Sequence, residues 1–450
     1  VTTKTTLFDG SSAFACLSEL ADNIGPRLTG SEGEHKAAEY IRRHFKACGL
    51  RTRFQKFPVT TFENTTCSFS VKVRGKWKNI TCEPLMPSKS TPVNGVEGKI
   101  YFAETGDPEY LSPAVRDKIV LVCGRIKPDD RPRFLSYKPK ALVIIESRIR
   151  DKLSRSAAEI ENLKTYGNLP TVVISHLDGF EIIRKKYAHA RLVLRNKTTP
   201  SYSLNVIGEK KGTEFPEEII AVCGHYDSHM GIPGASDNAG GTAIMMELAR
   251  VLITNPSRRT LRFIAFAAEE TGLYGSVYYA EQLLKKDKRE KKQKAFNEKI
   301  HRTECEQHRL VFNLDVHGML LGRNLVLYSG CADLGASVRL LSRELGVQMS
   351  VEGKPMSSDG TPLAAAGIPA VQFGRYGGAG MYGHTEQDNT AYLAPEALET
   401  AGRFSEIYLR RYVTECPVFP FPREIPEDQK KSINEYFKNS KLRNPADILS

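Results

Sequence analysis

The spacing of hydrophobic residues changes character three times along the chain. In residues 1–58, SSAFACLSELADNIG and HKAAEYIRRHFKACGL place apolar side chains at helical intervals (Ala37, Ala38, Tyr40, Ile41 and Phe45), and Gly49 stands where a C-cap is expected. The glycine-rich turn PRLTGSEG joins the two helices. From 59 to 199 the period shortens to brief β-branched runs bounded by Gly, Pro and Asp: CSFSVKV, GKIYFA, DKIVLVCG, ALVIIES and TVVISH. This block reads as a small independent domain inserted into a larger one. From 200 to 415, near-continuous apolar runs (EIIAVCGH, RTLRFIAFAAEE, HRLVFNLD, NLVLYSG, PAVQFG) alternate with helical stretches such as GGTAIMMELARVL and PEALETAGRFSEIYLRRYV. Such strands belong to a sheet covered by helices on both faces, so an α/β fold with a mixed central sheet is predicted. Residues 416–450 turn proline-rich and then polar, and read as a surface tail.

Bulk properties narrow the picture less. No run approaches the roughly 18 apolar residues that span a bilayer. The first twenty residues show no basic head, apolar run and small-residue cleavage site in order. Nine scattered cysteines without a C-x-x-C argue against zinc fingers and lean towards a cytoplasmic chain. A trimmed secreted chain is the alternative, and only there would the sequons at Asn64, Asn79 and Asn196 matter. Cys67 and Cys82 form the one candidate disulfide. Of the net charge of +12, half lies in residues 285–302, KKDKREKKQKAFNEKIHR. That concentration reads as a solvated, partly helical excursion rather than a nucleic-acid surface.

Candidate chemistry sits where the strands end. EIIAVCG runs into His225-Tyr226-Asp227, RFIAFAA into Glu269-Glu270, and LVFNL into Asp315. Asp237 follows in GASDNAGG, and His384 in MYGHTEQD. Each has an ordinary explanation: Asp237 as a helix cap, the glutamates as a solvated strand end, Asp315 as a turn residue and His384 as a surface histidine. Taken together, carboxylates gathered at a sheet rim are costly to bury without a cation. Imidazole and carboxylate donors without thiolate suit zinc, or a harder divalent metal, in an open catalytic site.

The motifs GHYDS, GASDNAGG, AAEETGLYGS, NLD, SDGTPLAAAGIPA and HTEQD resemble, in order and spacing, the zinc-dependent exopeptidases of the M28 family, over residues 13–58 and 200–412. DKIVLVCG, KALVIIES and LPTVVISHLDGFEII resemble the protease-associated domain that many of these enzymes carry as an insertion. The implied layout is a zinc-exopeptidase domain in two pieces (1–58 and 200–415), the insertion at 59–199 and the tail at 416–450. The resemblance implies two zinc ions, one held by His225 and Asp315, the other by Glu270 and His384, with Asp237 bridging them. It makes Glu269 the general base for a metal-bridging hydroxide, and it implies a cis peptide at Asp237–Asn238. Asp227, two residues beyond His225 on an extended strand, is placed to orient the imidazole.

The implied activity is removal of N-terminal residues from peptides. A carboxypeptidase or dipeptidase of the same fold is the first alternative, kept open by Arg375 in FGRYGGAGMYGH. A non-catalytic scaffold is the alternative of another class. One departure concerns the oxyanion partner. Many relatives have tyrosine immediately before the last histidine, and this chain has Gly383 there, which leaves Tyr382 or Tyr376 to serve. Asp359 matches a position near the substrate pocket, with a turn role equally open. His229 and His317 are expected to be structural or substrate-facing, and His301 and His308 solvated.

Overall fold

A computed structural model describes residues 7–449 apart from 125, 150–151, 156, 158–159 and 295–301. The chain divides into two compact units. The larger holds the residues up to 59 with 202–383 and 388–450, and the smaller holds 60–201 with 384–387.

In the larger unit the elements that matter for the site are helices α1 (Gly10–Ser18) and α2 (Glu32–Ala47), strands β1 (His189–Lys210, of which residues 202–210 belong to this unit) and β2 (Phe215–His225), helix α3 (Gly240–Leu252), strand β3 (Arg259–Phe266), helix α4 (Tyr274–Lys294), strands β4 (His308–Leu314), β5 (Gly322–Ser329) and β6 (Met349–Glu352), helix α5 (Gly360–Ala365), strand β7 (Ala370–Gly377), and helices α6 (Pro395–Leu409) and α7 (Glu427–Ser440). The sheet order is β6-β5-β7-β4-β2-β3-β1. The inner four strands β7, β4, β2 and β3 run parallel, flanked by antiparallel β5 and β1. The expected mixed sheet between helices is present.

The near-continuous apolar runs are explained by alternation between two buried faces. Ile220, Val222, Phe263, Phe312 and Phe373 pack with α1, α2, α3 and α6. Ala221, Cys223, Ile264, Val311 and Ala370 pack with α4, α5 and α7. Helix α7 lies in the polar segment 416–450 and buries Ile433 and Phe437 in the second of these cores.

Helix α4 extends into the basic segment, where Lys286 pairs with Glu304 and Glu290, and Lys291 with Asp287. His301 lies outside the described residues. The expectation of a solvated His308 is corrected: it is fully buried, bonded to the Tyr279 hydroxyl at 2.9 Å and to the Glu304 carbonyl at 2.8 Å.

The smaller unit has a four-stranded parallel sheet, Val96–Phe102, Ile119–Cys123, Ala141–Ile145 and Thr171–Ile174, edged by antiparallel Cys82–Pro84. Phe69, Leu121, Val143 and Ile182 are among the residues of its core. Cys67 and Cys82 are free thiols with their sulfurs 3.3 Å apart. The segment 384–387 groups with this unit through the Arg155 amide, which donates to the His384 carbonyl (2.7 Å), and through the Lys152–Glu386 ion pair (2.5 Å).

Truncating Phe437 to alanine removes a fully buried ring, and is expected to cost about 3–5 kcal/mol of stability. Chemical denaturation measures this. An unchanged midpoint would mean that α7 does not contribute to the core.

Candidate metal centre

Four parallel strands deliver their carboxyl ends to one rim of the sheet, the place where open α/β sheets bind ligands. β2 ends at His225, β3 leads into Glu269-Glu270, β4 into Asp315, and β7 carries Tyr376. His225 Nε2 lies 3.2 Å from Asp237 Oδ1, 3.3 Å from Asp315 Oδ1 and 3.9 Å from Glu269 Oε2, while its Nδ1 faces Asp227 Oδ1 at 3.5 Å. Ligand-capable atoms of His225, Asp237 and Asp315 all lie within 4.8 Å of one another. His225, Asp227 and Asp315 are buried. Neither nitrogen of His225 nor Asp315 Oδ1 has a hydrogen-bond partner. His225 Nε2 and Asp315 Oδ1, buried and facing each other without a hydrogen bond among carboxylates, fit a divalent cation with nitrogen and oxygen ligands.

The surroundings fix these donors. The Asp227 carboxylate accepts the backbone N–H of Glu269 (3.0 Å) and of Glu270 (3.1 Å), so it holds the glutamate turn as well as facing His225. Asn238 joins the Asp237 turn to the end of β4. Its Nδ2 donates to Leu314 O (2.9 Å), and its Oδ1 accepts from Val316 N (3.2 Å) and Gly241 N (2.9 Å). Gly241 permits this approach, since a Cβ there would stand 2.4 Å from Leu314 O. The Asp237–Asn238 peptide is cis, as the resemblance implies. Ala268 and Val316, beside Glu269 and Asp315, hold left-handed backbone at φ 57° and 60°. Such conformations cost about 1–3 kcal/mol each and cluster at functional sites.

Residues 205–407 match the model of peptidase family M28. They form an M28 peptidase domain. Over 283 residues (62% of this chain and 59% of the relative) the chain is 30% identical to aminopeptidase YwaD of Bacillus subtilis. Over 290 residues (58% and 59%) it is 27% identical to carboxypeptidase Q of Bos taurus. The chain thus spans about three fifths of the length of these curated relatives. Among solved structures, a zinc aminopeptidase from Bacillus subtilis superposes with a TM-score of 0.72 at 26% identity, covering 95% of this chain and all of that one.

Within the M28 domain the remaining candidates take distinct places. The two adjacent glutamates diverge, Glu269 towards His225 and Glu270 towards His229, whose Nε2 is 3.0 Å from Glu270 Oε2. His384, with φ 62°, falls in the segment grouped with the smaller unit. The Tyr376 ring folds over Gly374, next to the Asp315 carbonyl. Burial, with Asp315, Asp237 and Glu269 nearby, holds its hydroxyl well above the usual phenol range. Tyr382 stacks on Tyr392 at 5.0 Å between centroids. Asp359 is fully buried, and burial and the neighbouring Asp315 and Asp227 raise its carboxyl to about 7 against the pull of His225. Arg375 donates to the Met319 and Leu320 carbonyls and to Asn324 Oδ1, so its guanidinium is bonded to the loop after β4 and to the start of β5. His317 is buried and bonded to Phe373 O, a structural role as expected.

Three supports of the M28 domain have no signal in the strand-end pattern. Arg27, in the PRLTGSEG turn, is fully buried and donates to the carbonyls of Leu20, Gly25, Tyr226, Pro233 and Gly234. It thereby ties the end of β2 to the turn that carries Asp237. Burial lowers its pKa to about 10, opposed chiefly by Asp227, so it stays charged at neutral pH. Asp388 accepts from Ser236 N, Ser236 Oγ and Asp237 N at 2.7–3.2 Å. Asn238 is the third. The signal for Asp388 lay inside HTEQD, and that for Arg27 in an arginine flanked by turn residues.

Burial alone would depress the pKa of His225, but Glu269 and then Asp227, Asp237 and Asp315 reverse this and hold it well above the ordinary imidazole value. A proton therefore competes with a cation for the same ring, and metal retention falls as pH falls. Each displaced proton weakens apparent affinity by about tenfold per pH unit, which metal analysis after dialysis at graded pH will register. Replacing Asn238 with alanine unties Asp237 from β4 and is expected to weaken metal binding about 10–100-fold. Competition with a chromogenic chelator measures that loss, and an unchanged affinity would show that the tether is dispensable.

Proposed function

We propose that this chain is a zinc-dependent aminopeptidase with a two-ion centre. The observation that carries the reading is the cluster of buried His225 and Asp315, at the carboxyl ends of parallel strands, with half-buried Asp237 from the turn before α3, and with Glu269 beside it but outside the ligand group. His225 and Asp315 would hold one ion and Glu270 and His384 the other, with Asp237 shared between them. When bound, the ions supply an acidified water and positive charge for the developing oxyanion.

Glu269 is the proton carrier. Burial first, then Glu270 and Asp315, hold its carboxyl well above the usual range against the pull of His225, so the group holds a proton more readily than an ordinary carboxylate. Its carboxylate takes the proton of the attacking water and later gives it to the leaving amine. Asp227 fixes the turn on which Glu269 sits, and Tyr376, whose hydroxyl feels Asp315, Asp237 and Glu269, is the candidate to meet the oxyanion.

Attack on the amino end is favoured because the carboxylate-rich rim receives an α-amine. Arg375, the residue on which a carboxylate anchor depended, spends its donors on Met319, Leu320 and Asn324. The likeness to carboxypeptidase Q keeps the opposite polarity as a second reading.

Matched peptides blocked at one end, incubated with and without chelator, decide the polarity. Cleavage should need a free N-terminus and stop with chelation, and hydrolysis of N-blocked peptides would overturn the assignment. Glu269→Gln should keep its metal and lose about 10²–10⁴-fold in kcat. Near-normal turnover would remove Glu269 from the role.

A further inference from the structure

His229 lies in the turn after β2, four residues beyond His225, at a position the M28 pattern leaves unassigned. It is buried, and its Nε2 lies 3.0 Å from Glu270 Oε2. The turn that presents it is fixed from several sides. Ser228 N donates to Arg27 O (3.2 Å), and Arg27 N donates to Ser228 Oγ (2.9 Å). The Ser228 hydroxyl donates to Ile232 O (2.8 Å), and Ile232 N to His229 O (3.1 Å). The ring is therefore positioned from its backbone before any ligand arrives.

A tetrahedral zinc with ligands at about 2.0–2.1 Å sets its donor atoms about 3.3 Å apart. The His225 group shows that spacing, with 3.2 and 3.3 Å between nitrogen and oxygen donors. The His229–Glu270 separation of 3.0 Å falls beside those values, and it too joins an imidazole nitrogen to a carboxylate oxygen in a buried place. On the two-ion reading, on which this inference rests, Glu270 belongs to the second ion. We propose that His229 Nε2 is a further ligand of that ion, beside Glu270. The second ion then gains a nitrogen donor that the family pattern does not supply. Imidazole favours zinc and cobalt over magnesium and manganese, so this position becomes the more selective of the two.

The test uses the full chain, wild type and H229A, loaded with zinc and dialysed. X-ray absorption at the zinc edge counts the imidazoles, and competition with a chromogenic chelator reads the affinity of each ion. The expected result is a fall in average imidazole count per zinc of about one third, together with an affinity loss of at least about tenfold for one ion only. Unchanged imidazole scattering with both affinities intact would overturn the proposal and leave His229 as a hydrogen-bond neighbour of Glu270. A wild-type chain that binds no zinc would overturn the two-ion reading as well, so the two failures are distinct. Melting of the metal-free proteins controls for folding, and H229Q is read in the same way should the alanine variant not fold.

Discussion

Carboxylates crowded at the rim of a buried sheet repel one another, and this constraint governs the larger unit. Asp227, Asp237, Glu269 and Asp315 all lie within 4 Å of the His225 ring. In a medium of low polarity such a set is tolerated only with positive charge among it. Part of that charge is built in: Arg27 sits fully buried and charged behind the cluster. The rest is left to the imidazole and to a bound cation, and the folded rim is in that sense incomplete without one.

The fold answers the constraint through hydrogen bonds that connect ligand-bearing segments rather than through the ligands themselves. Asp227 accepts from the glutamate turn, Asn238 bridges from the Asp237 turn to both sides of Asp315, Asp388 braces the same turn, and Arg27 gathers five carbonyls. These supports come from opposite ends of the chain, from residue 27 to residue 388. The strand ends supply direction, and the supports supply distance. Holding donors at set separations is what lowers the cost of binding the ion, since little remains to be ordered when it arrives.

Much of this was legible in the sequence because it depends on local pattern. Buried parallel strands read as apolar runs, and the polar residues that stop them mark the rim, so His225, Glu269, Glu270 and Asp315 stood out. Arg27, Asn238 and Asp388 did not, because each acts by reaching another segment, and sequence spacing carries no trace of such reach. His229 was set aside because the family pattern does not use it, yet the 228–232 turn brings it to Glu270. Arg375 stood out as an arginine near the site, and its bonds to Met319, Leu320 and Asn324 were not legible for the same reason. Helix α7 was obscured by polar composition, since Ile433 and Phe437 are its apolar residues fully buried in the core.

Anomalous diffraction at the zinc absorption edge, from crystals of the chain grown with zinc, reads the occupancy of this rim without intermediary. Two peaks are expected, one among His225, Asp237 and Asp315 and the other beside Glu270. Crystals with no peak at that rim, at full zinc supply, would contradict the two-ion reading.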